Sequence, residues 1–224
     1  MDPDLLQETA GETAFRLIRH DIIRGTLEPG AKLRLEQLKA SYGVSVPTLR
    51  EALNRLTAEN LVVAEGQRGF HVSPATRREL IELGEIRTLL ESHAIQLSFA
   101  RGDLDWEARV VAAHHKLVAL ERRLLAGEVE RTAEWVRYDR EFHQALVSAC
   151  DSLTLMDLLS SVFDRFLRYH LLARSFRGTA VADDHRKLFE FAMERDTPAA
   201  TEMLKQHVWN GITHVLETGR FPAA

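Results

Sequence analysis

The sequence predicts a mainly α fold in two parts, an N-terminal winged helix-turn-helix followed by an all-α bundle of six helices. Three observations carry this. In residues 43–60, GVSVPTLREALNRLTAEN, the apolar Leu49, Ala52, Leu53 and Leu56 recur three and four apart, the spacing of one buried helix face. Before it runs a short amphipathic stretch, Leu35–Tyr42, closed by Gly43; after it come two β-prone runs around a glycine turn. From about Thr76 onward the apolar pattern has helical spacing throughout.

Taken in order, residues 8–25 read as a first helix with Phe15, Ile18, Ile22 and Ile23 turned inward and Gly25 closing it. Leu27-Glu28-Pro29-Gly30 is a turn. The next two helices flank Gly43, with Ser45 placed to cap the second and Pro47 in its first turn, where a missing N–H costs nothing. Residues 61–64 and 69–72 form a hairpin across Glu65-Gly66-Gln67-Arg68, which makes a two-stranded wing. Ser73-Pro74 breaks the pattern, so we place the domain boundary after residue 74, giving domains 1–74 and 75–224. The bundle helices are expected at 77–101, 105–126, 130–149, 153–174, 180–195 and 198–218, separated by Gly, Asp and Pro signals.

Two short helices across a tight turn, the second sized for a major groove, point to double-stranded DNA as a partner. Bulk charge does not help. The net charge is −4, and up to Pro74 nine Lys/Arg stand against ten Asp/Glu. From Ala31 to Pro74 the count turns to six against four, so DNA binding must rest on a few placed residues. No run approaches the roughly 18 apolar residues of a membrane span. The acidic, polar start MDPDLLQETAGET is unlike a signal peptide. Cys150 is the sole cysteine and cannot form an internal disulfide, which fits a reducing cytoplasm; its apolar helical setting suits an inert core thiol.

Inside the bundle, polar residues sit on apolar helix faces. Trp135, Asp139, Phe142, His143 and Leu146 share one side of the third bundle helix, so Asp139 and His143 are i, i+4 neighbours. His185 falls between Val181, Leu188, Phe189 and Ala192, and His207 between Met203, Leu204, Val208 and Gly211. A buried carboxylate without a partner costs several kcal/mol, so Asp139 needs a cation. Three imidazoles and one carboxylate suit Zn²⁺ or a similar divalent ion, although hydrogen-bonded core histidines would give the same pattern. His114 reads as such a core histidine, and His93, His170 and His214 have no clear partner spacing.

The N-terminal run resembles the winged helix of the GntR regulators through G-x-L-x-P-G-x-x-L, the GVS turn, the LREAL helix start, the AENLV exit and the RGF-x-V wing. The helical part resembles the FadR-type C-terminal ligand-binding domain (FCD) through Glu85-Ile-Arg87 with Glu91, Asp139-x-x-x-His143, Asp184-His185-Arg186 and His207. Within that subfamily the chain looks most like regulators of carbon starvation and of 4-aminobutyrate or dicarboxylate catabolism. The resemblance implies a homodimer on a short pseudo-palindromic operator and a divalent metal, Zn foremost with Ni or Mn as alternatives. Asp139, His143, His185 and His207 would be its ligands. It also implies a small carboxylate effector beside the metal, with Arg87 as a helper, since a guanidinium fork pairs well with carboxylates. An i, i+4 salt bridge to Glu91 is the other reading of Arg87.

The same resemblance implies DNA contacts from Ser45, Thr48 and Arg50 and from the wing residues Gln67, Arg68 and Gly69. It departs at position 46, commonly arginine in the family and Val46 here, which removes a guanine contact worth roughly 1–3 kcal/mol of discrimination. Arg55 is expected to pair with Glu51 on its own helix. The expected function is a metabolite-responsive transcriptional regulator, a repressor rather than an activator. A regulator whose histidines bind the effector without metal is one alternative. A metal-dependent enzyme is the other, for which the sequence offers no independent nucleophile or base.

Overall fold

The start of the first helix is fixed by residues three apart: Glu12 N–H donates to the Thr9 hydroxyl while Thr9 N–H donates to the Glu12 carboxylate. In this computed structural model, residues 8–173 and 176–222 are described, apart from the Gln67 side chain. The chain forms two units, Met1–Ala75 and Thr76–Ala224.

In the first unit, α1 (Ala10–Arg24) is followed by β1 (Lys32–Leu33), α2 (Leu35–Tyr42), α3 (Val46–Ala58), β2 (Val62–Ala64) and β3 (Phe70–Val72). Ile18 and Ile22 of α1, Leu38 of α2 and Leu49, Leu53 and Leu56 of α3 close one apolar core with Leu61 and Val72. Phe15 and Ile23 pack at its edge. Polar ties fix the helices at its rim: the Tyr42 hydroxyl donates to Asp21 at 2.6 Å, and Arg19 to Glu59 at 2.6 Å. Ser45 caps α3 by accepting from Thr48 N–H, with Pro47 in the first turn.

The wing has three strands rather than the expected two, in antiparallel order β1-β3-β2. Lys32–Leu33 joins because the Pro29-Gly30 turn brings the chain back to β3, where Gly30 N donates to Val72 O and Val72 N to Ala31 O. A two-residue strand is too short to show a period of two. Between β2 and β3 the chain makes a 3₁₀ turn, Gly66–Arg68.

In the second unit, α4 (Arg77–Arg101), α5 (Leu104–Leu125), α6 (Thr132–Val147), α7 (Leu153–Ala173), α8 (Thr179–Glu194) and α9 (Thr197–Glu217) build the bundle. Thr76, Asp103 and Asp196 cap α4, α5 and α9 through backbone amides three residues on. The third bundle helix starts two residues later than expected, since Val129–Arg131 is 3₁₀. Helix α4 packs against α6, α7 and α9, α5 against α6 and α8, and α8 against α9, so α6, α8 and α9 can each face one interior. Gly84 allows α4 and α9 to approach: a Cβ there would lie 2.3 Å from Ile212 Cδ1. Cys150 is buried in the turn that follows α6. No helix among the described residues is long and apolar enough to cross a membrane.

Candidate metal centre and DNA-facing residues

Helix α6 supplies Asp139 and His143, one turn apart; α8 supplies His185 and α9 supplies His207. One candidate ligand atom from each lies within 4.8 Å of every other, and all four residues are buried. His185 Nε2 stands 3.0 Å from Asp139 Oδ1 without the alignment of a hydrogen bond, and His143 Nε2 stands 4.0 Å from the same oxygen. Both Nε2 atoms are buried with no hydrogen-bond partner among the described residues. Buried nitrogens in this state are what a bound cation would satisfy.

The opposite ring nitrogens are held. His143 Nδ1 lies 2.5 Å from Glu91 Oε1, and His185 Nδ1 lies 2.6 Å from Glu121 Oε1. His207 Nδ1 lies 3.4 Å from Asp184 Oδ2 and 3.3 Å from Arg177 Nη2. At His143 and His185 the carboxylate at Nδ1 keeps the proton there and leaves the Nε2 lone pair for the interior; these two tautomers are assigned from the partners. Arg87 Nη2, 3.2 Å from His143 Nδ1, is then a neighbour of that nitrogen and not a donor to it.

The electrostatics favour positive charge at the centre. Burial opposes the Asp139 carboxylate, yet the surrounding imidazoles hold its pKa well below the usual range. Burial also opposes charging His185, but Asp139 and Glu121 on its two sides raise its pKa to about 9. Glu91, likewise buried, is brought down to about 2 by Arg87 and His143. The donor set and its bracing therefore fit a divalent ion.

Arg87 makes the i, i+4 pair with Glu91. Its Nε donates to Glu91 at 2.9 Å, and its guanidinium lies over Phe163 at 4.0 Å, while the side chain also lines a cavity beside the cluster. That cavity is small, about 20 Å³, and is bordered further by Trp135, Asp139, His170, Arg177 and His207. Four of the residues around this site carried no sequence expectation of a role. Glu121 braces from α5, where it interrupts the apolar stripe of Leu117, Leu120 and Leu124, a usable signal. Asp184 sits beside His185 in α8, and Arg177 donates to it at 3.0 Å from the segment before that helix. His170, without partner spacing in the sequence, lines the cavity from α7, where burial lowers its pKa to about 4. His114 stacks flat on Phe189, centroids 4.2 Å apart.

In the first unit, Ser45, Thr48 and Arg50 stand together at the start of α3, with Ser45 and Arg50 exposed. The Ser45 and Thr48 hydroxyls lie 2.8 Å apart. Arg68 and Gly69 lie between β2 and β3, Arg68 exposed, and Gly69 has φ +90° and ψ −145°, a backbone that suits glycine alone. The Gln67 side chain lies outside the described residues. Arg55 does not show the expected pairing with Glu51; its guanidinium lies 4.0 Å over the Phe15 ring, tying α3 to α1.

Comparison with known proteins identifies both units. The model for bacterial regulatory proteins of the gntR family matches residues 10–72, and that for the FCD domain matches residues 82–210. The HTH-type transcriptional regulator BphR of Paraburkholderia xenovorans LB400 is 38% identical over 210 residues, covering 93% of this chain and 86% of that protein. The HTH-type transcriptional repressor GlaR of Escherichia coli K12 is 34% identical over 200 residues, covering 87% and 90%. Among solved structures, a GntR regulator from Rhodococcus sp. RHA1 superposes with a TM-score of 0.75 at 27% identity, covering 92% of this chain and 97% of that one. The matched families and relatives are regulators, not enzymes.

Proposed function

The chain belongs to the gntR family of bacterial regulatory proteins and carries an FCD domain, and from that premise we propose a cytoplasmic, metal-dependent repressor that responds to a small carboxylate. That it is a transcriptional regulator follows from the family; its metal, its effector and its sign are our reading. The observation that carries the reading is the convergence of Asp139, His143, His185 and His207, with each imidazole backed by a carboxylate at Nδ1. Those four residues would hold a divalent ion, Zn²⁺ foremost, which supplies a Lewis-acidic anchor for a carboxylate oxygen. Arg87, pinned by Glu91 and two phenylalanine faces, offers a fixed guanidinium edge at the cavity wall.

Ser45, Thr48 and Arg50 with the wing residues Gln67, Arg68 and Gly69 would face the operator, and the operator would be a pseudo-palindrome read by a homodimer. The effector releases DNA by binding one arrangement of the dimer better than the other; a preference of a few kcal/mol suffices. A metal-free version has one observation in its favour, the paired carboxylates that make His185 cationic without an ion.

Elemental analysis of protein purified without chelators separates the two versions, with about one equivalent of ion per chain expected. Gel shifts on the DNA upstream of the gene, with and without candidate acids, test the rest. A shift that acids reverse, and that chelator-treated protein no longer relieves, is the expected result. Absence of any sequence-specific shift would sink the reading.

A further inference from the structure

Trp135 lies one helical turn before Asp139 on α6 and borders the same cavity. The residue is only 5% exposed, and its indole N–H meets no acceptor among the described residues. Phe176 stands edge-on to the ring at 5.2 Å between centroids and His185 borders it at 6.4 Å, so aromatic neighbours hold the indole in place. Indole nitrogen can only donate, and a buried donor left without a partner is costly. Elsewhere on the wall, Arg87 gives its Nε to Glu91 and Arg177 gives its Nη2 to Asp184.

We propose that Trp135 sets the specificity of the effector cavity, its N–H selecting acids that carry a second acceptor oxygen besides the carboxylate held at the Asp139 end. This rests on the effector site proposed above and adds which acids that site takes. Positions i and i+4 of a helix put their Cβ atoms about 5–6 Å apart on one face. A short acid with its carboxylate at the cluster therefore brings an oxygen on its far end toward the indole, whereas a plain alkyl acid leaves the donor unpaired.

The test is calorimetric titration of zinc-loaded full-length protein with butyrate, 4-hydroxybutyrate and succinate, for the wild type and Trp135→Phe. The wild type should bind one or both of the two-acceptor acids at least about tenfold more tightly than butyrate, the scale of one hydrogen bond in a buried site. Trp135→Phe should bring that ratio near one, with zinc content unchanged. A preference that survives the substitution overturns the inference. Nitrogen-15 spectra of the wild type give an answer that needs no variant. Of the three tryptophans, Trp106 already donates to Leu146 O and Trp209 is exposed, so both serve as controls. The Trp135 indole N–H should move downfield with a two-acceptor acid and stay in place with butyrate; no such difference overturns the inference. If the wild type binds none of the acids and none alters its hold on DNA, the effector reading itself falls, and this inference with it.

Discussion

Each inward imidazole is braced by a carboxylate, and two of the braces come from helices other than the histidine's own neighbours in sequence. Glu121 reaches His185 across 64 positions, and Glu91 reaches His143 across 52. Such a brace fixes the tautomer and raises the basicity of the nitrogen facing the ion. Glu121→Gln keeps the size and one acceptor but removes the charge, so zinc affinity should fall about 10–100-fold, read by competition with a chromogenic chelator. An unchanged affinity would mean that no ion sits at His185 Nε2. The contrast between ligands and braces explains what was legible at this scale. Asp139, His143, His185 and His207 stood out because each places a polar group on an apolar helical stripe. Glu121 does the same but has no partner within a helical turn, and Arg177 lies in a connection with no period at all. Their roles depend on which helices meet, and local spacing does not carry that information.

Helices were legible because eight or more residues repeat a 3.6-residue pattern and caps mark most of their starts. Thr76, Asp103 and Asp196 all lie where the sequence changes period, and each accepts from an amide three residues on. Strand β1 had no such redundancy, being two residues long and defined only by its pairing with β3. Packing between elements was hidden for another reason: a glycine inside a helix reads as a weak point, yet Gly84 is where Ile212 of α9 packs onto α4. Gly84→Ala removes backbone freedom from the unfolded chain, which alone would stabilise, but its Cβ would meet Ile212 Cδ1 in a buried contact. The clash should win, lowering stability by about 1–3 kcal/mol in denaturant titration. Ile212→Val removes the offending methyl, so the double variant should recover part of that loss. A cycle with no coupling between the two sites would show that α9 shifts freely and that the close approach is not a constraint.

At the level of the whole molecule, the chain sets a small three-helix, three-stranded unit before a larger helical one, each with its own core. With a net charge of −4, the DNA contacts we propose rest on a few residues of α3 and the wing, while the buried charges concentrate in the second unit. A metal held at the Asp139 cluster would therefore act on one unit's stability directly. An ion that binds only the folded bundle adds RT ln(1 + [ion]/Kd), about 2.7 kcal/mol when free ion exceeds Kd a hundredfold. Because the four candidate ligands come from α6, α8 and α9, that energy should appear as slower amide exchange in those helices when zinc is added to chelator-treated protein. Amides of α1, α2 and α3 should exchange at the same rate with and without zinc, since their core of Ile18, Ile22, Leu49, Leu53 and Leu56 contains no ligand. Hydrogen exchange read by peptide mass spectrometry resolves the two sets. Protection confined to the bundle supports an ion held by α6, α8 and α9. No protection there contradicts the cluster as a metal centre, because an ion gripped by three helices cannot leave their opening unaffected.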